Sequence, residues 1–99
     1  MNTALIEELR RLPGVEVAPS QWTQKPAIWI NGREIVHEHE PWIEIRLTSK
    51  LINSLDDYRV LRRARTSDWV MVGETERDLI LDLASQAATA NAASSHLSL

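Results

Sequence analysis

Asn31-Gly32 constrains this chain more than any other dipeptide in it. It lies between two apolar runs, and both of its residues tolerate positive φ, so it predicts a two-residue type I′ hairpin. Pro26-Ala27-Ile28-Trp29-Ile30 is then one strand and residues 33 to 39 are the next. A regular ladder from that turn pairs Ile30 with Arg33 and Ile28 with Ile35. Glu40-Pro41-Trp42-Ile43 reads as a second turn, because the fixed φ of Pro41 suits it. That turn sets Glu40 against Ile43, Glu38 against Ile45 and Val36 against Leu47. Moving it by one residue on each arm leaves the same residues on the same face.

Side chains alternate along a strand, so these registers sort the hairpins into two faces. Ala27, Trp29, Val36, Ile43, Ile45 and Leu47 share one face, with Glu34, Glu38 and Glu40 toward its ends. That face is the one expected beneath helices. Ile28, Ile30, Arg33, Ile35, His37, His39, Trp42, Glu44 and Arg46 share the other. It mixes apolar residues with convergent titratable groups, and the candidate function is placed there. His37 and His39 project the same way, about 6–7 Å apart along the strand. Glu44 beside an imidazole would fix its tautomer and raise its basicity, as a general base requires. Arg46 or Arg33 would hold a developing anion. Trp42 offers a ring to stack on a planar ligand, Ile35 an apolar wall and Asp68 a further acidic group.

The rest of the chain supplies cover for this sheet. Leu5, Ile6, Leu9 and Leu12 recur at helical spacing from residue 3, with Asn2 or Thr3 as cap and Pro13-Gly14 as stop. Val15-Glu16-Val17 alternates as a first strand, and Pro19 to Lys25 is a polar loop carrying Trp22, read as a core plug or as a lid over the mixed face. A helix begins near Lys50, and Asp56-Asp57 breaks it before a further turn through Leu61. Arg59, Arg62, Arg63 and Arg65 form a basic cluster, read as a solvated surface. Ser67 to Val72 is the last strand, and a closing helix carries Ile80, Leu83, Ala84 and Ala87 inward. The expected order is α-β-β-β-β-α-β-α: an α+β domain over residues 1–90, with a mainly antiparallel sheet of about five strands and helices on one face. Residues 91–99, Ala- and Ser-rich and including His96, are expected to fray.

Ninety-nine residues support one modest core. A net charge of −3 argues against generic nucleic-acid binding. The absence of cysteine excludes disulfides and thiolate chemistry, and fits a cytoplasmic protein. No apolar run spans a membrane, and the amino terminus has no signal-peptide pattern.

Arg33-Glu34-Ile35-x-His37-x-His39, an alternating strand ending at Leu47, then Asp68-Trp69-Val70 and a closing helix resemble the luciferase domain family. That family includes the fungal luciferases and many small bacterial proteins. The resemblance runs from about Leu12 to Ala90. It implies an analogous fold and a pocket using His37 and His39. In the fungal enzymes the chemistry is oxygenation of a hydroxylated pyrone without a recognised organic cofactor, so none is expected here. The chain lacks their long amino-terminal extension with its membrane-spanning segment, so the resemblance does not carry membrane attachment or light emission.

Three readings of the histidines compete. In the first, His37, His39, Glu44 and Arg46 form an acid-base site for a small aromatic or enolic ligand, with Arg33, Trp42, Ile35 and Asp68 binding it. In the second, the histidines are strand residues whose ring nitrogens are satisfied by Glu44, Glu38 or water. In the third, His-x-His chelates a metal, but only Glu44 offers itself as a further ligand, and no metal is assigned. A non-catalytic binding module is the functional alternative. So is a homodimer, which would bury Ile28, Ile30, Ile35 and Trp42.

Overall fold

The computed structural model describes residues 1–63 and 67–97, with side chains to residue 92. The elements are α1 (Thr3–Arg10), β1 (Val15–Pro19), β2 (Pro26–Ile30), β3 (Arg33–His39), β4 (Trp42–Arg46), α2 (Ser49–Ser54), β5 (Leu61–Arg62), β6 (Trp69–Gly73) and α3 (Arg77–Leu97). The strands form one six-stranded sheet in the order β1-β2-β3-β4-β6-β5, every neighbour antiparallel. The class is α+β, and the sixth strand is the two-residue edge strand β5, too short to leave a periodic signal. The helical turn expected after Asp56 does not form. The Asp57 carboxylate accepts instead from the Arg59 amide and guanidinium, and the chain turns there into β5.

Both hairpins close as their turn residues dictate. Asn31 and Gly32 have φ of 51° and 75°, the type I′ signature, and Ile30 pairs with Arg33. The β3–β4 turn sits one residue earlier in the chain than expected on each arm. His39 pairs with Trp42, Glu38 with Ile43, His37 with Glu44 and Val36 with Ile45. The Glu40–Pro41 peptide is cis.

The first hairpin departs from a regular ladder. Its register slips by one residue between Ile28 and Trp29, so Trp29 pairs with Glu34 while Ile28 pairs with Val36. Ile35 is the extra residue of a β-bulge. The bulge corrects the expected sorting of faces. Ile28, Ile30 and Ile35 do not share a face with His37. They join Val36, Ile43, Ile45, Val70 and Val72 in the core cluster under the helices. Adjacent Ile35 and Val36, which a regular strand would separate, are both fully buried there. Trp29 and Glu34 go the other way, onto the histidine face.

α3 packs across β2, β3 and β4, and α1 covers β1 and touches α3. Leu5 and Leu9 of α1 and Leu79, Ile80, Leu83, Ala84, Ala87 and Ala88 of α3 fill the layer between helices and sheet. Asn2 caps α1 by accepting from the Leu5 amide, and Thr48 rather than a later residue caps α2. Residues 91–97 of the stretch expected to fray are instead part of α3, which runs to Leu97. Alanine is the best helix former, and buried Asn91 fastens the helix by donating to the Arg46 and Ala87 carbonyls. Arg65 of the basic cluster lies outside the described residues, as does the side chain of His96.

Candidate functional site

The face away from the helices is built around His37, which is 3% exposed. Two things bring acids to it. The hairpin register places Glu44 directly opposite on β4. The bulge turns Glu34, three residues before His37, onto the same face, where a regular strand would have turned it away. His37 Nε2 lies 2.7 Å from Glu44 Oε1 in hydrogen-bond geometry. His37 Nδ1 lies 2.9 Å from Glu34 Oε2 but off the line of a hydrogen bond, so this second contact is an ion-range approach rather than a directed bond. A neutral imidazole has one N–H, so serving both acids takes a second proton, on the ring or on a carboxyl.

Glu34 is held from above. Ser20 Oγ donates to its Oε2 at 2.6 Å and the Gln21 amide donates to Oε1 at 2.9 Å. Ser20 Oγ in turn accepts from the Trp22 and Thr23 amides, which folds the loop after β1 into a tight turn. That turn lays Trp22 over the imidazole, with ring centroids 5.3 Å apart. Trp69 of β6 stands next to both rings, 4.6 Å from His37 and edge-on to Trp22 at 5.8 Å. The imidazole is therefore walled by two acids and two indoles, with Trp22 still 57% exposed.

A cleft of about 230 Å³ opens beside it, lined by Trp22, Thr23, His37, His39, Glu44 and Arg63. Arg63 Nη1 reaches to 3.6 Å from Glu44 Oε1 while its side chain stays about half exposed. Glu44 has one oxygen committed to His37. Its other oxygen, Oε2, is buried and has no hydrogen-bond partner. A buried carboxylate oxygen without a donor is costly, so a donor brought to it would be rewarded. A larger hollow, about 440 Å³, lies where α1 meets the sheet. Its cations are already paired, Arg77 with Glu8 and the Met1 ammonium with Glu38.

The expected site residues divide. His37 and Glu44 meet as anticipated, and His39, exposed at the end of β3, lines the same cleft. Arg46 shares the face but is turned to Trp69, with its guanidinium carbon 5.2 Å from the ring centroid. Burial and then the charge of Arg33 hold the Arg46 guanidinium below its ordinary range. Its Nε and the Trp29 indole N–H are buried without a protein acceptor. Arg33 is exposed at the hairpin end, and Trp42, paired with His39, is half-buried outside the cleft lining. Asp68 is exposed, and its carbonyl rather than its carboxylate joins the fold, accepting from the Leu47 amide. Ile35 lies in the helix-side core, so it cannot wall the cleft, and with Ile28 and Ile30 it is not available to a second copy of the chain.

Glu34, Ser20, Trp69 and Arg63 are the members that sequence reasoning missed. A regular ladder puts Glu34 on the helix-covered face, and the bulge reverses it. The signal was present: Glu34-Ile35-Val36-His37 breaks the alternation of its strand with two adjacent apolar residues, as a bulge does. Ser20 and Arg63 carry no such mark. Trp22 as a lid over the mixed face, one of its two readings, is where the structure places it.

Among the described residues there is no group of three or more His, Asp or Glu side chains positioned to hold a metal, and no helix long and apolar enough to cross a membrane. No family model, no curated protein and no solved structure matches the chain.

Proposed function

We propose that this chain is a small cytoplasmic acid-base catalyst of the luciferase-domain kind, acting on an aromatic or enolic ligand held in the cleft beside His37. The observation that carries the reading is the buried Glu34–His37–Glu44 cluster, with Glu44 Oε2 left without a partner. His37 Nε2 is bonded to Glu44 and Nδ1 faces Glu34 at ion-pair range, so Glu44, which lines the cleft, is the group that meets a ligand and the imidazole stands behind it. Glu34 orients the ring, His37 holds or passes the proton, and Glu44 exchanges it with the ligand, in the logic of a base positioned by a third group. Removing a proton from an enolisable ligand leaves an electron-rich carbanion. Such a carbanion can form a carbon–oxygen bond with dioxygen directly, and the peroxide anion then takes a proton. The Arg33-to-His39 motif supports kinship with the oxygenating family; it is a likeness of residues, and activity is argued from the site.

The test is proton exchange and oxygen uptake with 4-hydroxy-6-methyl-2-pyrone as probe. The wild-type protein should accelerate deuterium incorporation at the ring carbon beside the enol. His37→Gln and Glu44→Gln should each lose about a hundredfold or more, the lower end of a general acid-base contribution. Full exchange activity in either variant would overturn the reading. A second reading follows from the same acid-flanked imidazole: a module that binds a ligand without turning it over. Quenching of Trp22 by the probe with no exchange would establish that reading instead.

A further inference from the structure

The paired chemistry of Glu44 and Arg63 says more about the ligand than the cluster behind it does. Glu44 Oε2 is a buried acceptor with no donor, on a side chain only 3% exposed. Arg63 Nη1 lies 3.6 Å from the other oxygen of the same carboxylate, longer than a hydrogen bond, and its guanidinium is about half exposed at the cleft. His39, exposed on the same cleft, adds a further donor. The site therefore presents one unmet acceptor and, a few ångströms away, donors with capacity to spare. A ligand that satisfies both must carry a hydrogen-bond donor and an anion on neighbouring atoms. If each makes a contact of about 2.8 Å, the two groups cannot be far apart on the ligand. Trp22, more than half exposed and lining the same cleft, supplies an aromatic surface beside them.

We infer that the cleft takes an aromatic acid whose carboxylate bonds Arg63 and whose adjacent hydroxyl or ammonium donates to the Glu44 carboxylate in the cleft wall. The class comprises 2-hydroxy acids, the enol form of 2-keto acids, and 2-amino acids with an aromatic side chain. The shared recognition element is a donor on the carbon next to a carboxylate. This rests on the proposed acid-base reading for its enolic members, where the donated proton is the one Glu44 would exchange. Binding alone does not depend on it. The guanidinium makes a forked contact with a carboxylate, which favours an acid over a neutral carbonyl. A carboxylate rewards a donor more than a neutral acceptor would.

The experiment is a titration of the full chain, read by amide chemical shifts, with 3-phenyllactate, phenylalanine and 3-phenylpropionate. These differ only in carrying a hydroxyl, an ammonium or neither beside the carboxylate. At least one of the first two should bind about tenfold or more tightly than phenylpropionate, the scale of one charge-assisted hydrogen bond. The shifts should centre on Trp22, Thr23 and Arg63. Preference for phenyllactate identifies the hydroxyl as the donor, and preference for phenylalanine the ammonium. Arg63→Gln, at a half-exposed position that the fold tolerates, should weaken all three acids, and Glu44→Gln should erase the preference among them. Equal binding of the three acids, no shift at those residues at millimolar ligand, or unchanged affinity in Arg63→Gln would overturn the inference. None of these readouts needs turnover, so a protein that binds phenyllactate but exchanges no proton would sink the catalytic reading and leave this one standing.

Discussion

Removing the Glu34 carboxylate is the sharpest perturbation of the site. Glu34 is fully buried, accepts from Ser20 Oγ and the Gln21 amide, and stands 2.9 Å from His37 Nδ1. Glu34→Ala strands the Ser20 hydroxyl, frees a loop amide, and leaves the imidazole with a single acidic partner. An orphaned buried donor costs about 1–3 kcal/mol, and breaking a buried charge cluster about 3–5 kcal/mol. The Gln21 amide can reach water once the loop loosens, because Gln21 is exposed. The expected loss is therefore about 3–5 kcal/mol rather than the sum of every term. Glu34→Gln keeps the shape and one acceptor oxygen, and should cost about 1–2 kcal/mol. Urea unfolding followed by tryptophan fluorescence measures both, and Trp22 reports on the loop directly. A domain of this size loses about 4–8 °C in Tm per kcal/mol, so heating resolves the two variants as well. In a regular ladder Glu34 would sit on the opposite face, away from His37 and the Ser20 loop. Glu34→Ala would then cost about 0.5 kcal/mol or less, as surface changes do. That result would refute the bulge and the site built on it.

Ile35→Ala should cost about 2–5 kcal/mol in the same unfolding assay, because Ile35 is fully buried in the helix-side cluster; a loss under about 1 kcal/mol would return it to the open face. Hydrogen bonds from Arg59 hold the Asp57 carboxyl down at about 2, against an ordinary 3.8. A carboxyl depressed in the folded state adds stability above its unfolded value and loses it as pH falls toward the folded one, so Asp57 should withdraw its contribution between about 3.8 and about 2. An NMR titration of its side chain should find the midpoint near the lower figure, and a midpoint near 3.8 would show that the Arg59 contact does not persist in solution.

Most of the architecture was readable because it follows from short-range chemistry. Asn31-Gly32 fixed the first hairpin, Pro41 the second, and helical spacing of Leu5, Leu9, Ile80 and Leu83 named the covering layer. The second turn puts His37 and Glu44 on one face, although its expected register sets His37 against Arg46; the shift of one residue on each arm keeps the face and brings Glu44 directly opposite. What escaped was the bulge, which depends on how Ile35 and Val36 share the core with α3, a tertiary demand that overrides strand alternation. One slipped residue exchanged Glu34 for Ile28, Ile30 and Ile35 on the site face. It turned an expected apolar wall into a second acid. β5 escaped because a two-residue edge strand has no period, and the length of α3 because alanine-rich sequence reads equally as tail and as helix. Ser20 and Arg63 come from loops and edges far away in the chain, and only folding brings them in.

The site stands on His37 lying on the helix-free side of the sheet, clustered with the indoles of Trp22 and Trp69. Proton–proton contacts from the His37 ring, measured in solution by nuclear Overhauser spectroscopy, test it without any ligand. The account predicts contacts to both indoles, whose centroids lie 5.3 and 4.6 Å from the ring, and none to the methyl groups of Leu83 or Ala84 in α3. Contacts to those methyl groups, with the indoles silent, would place His37 in the core and contradict the site.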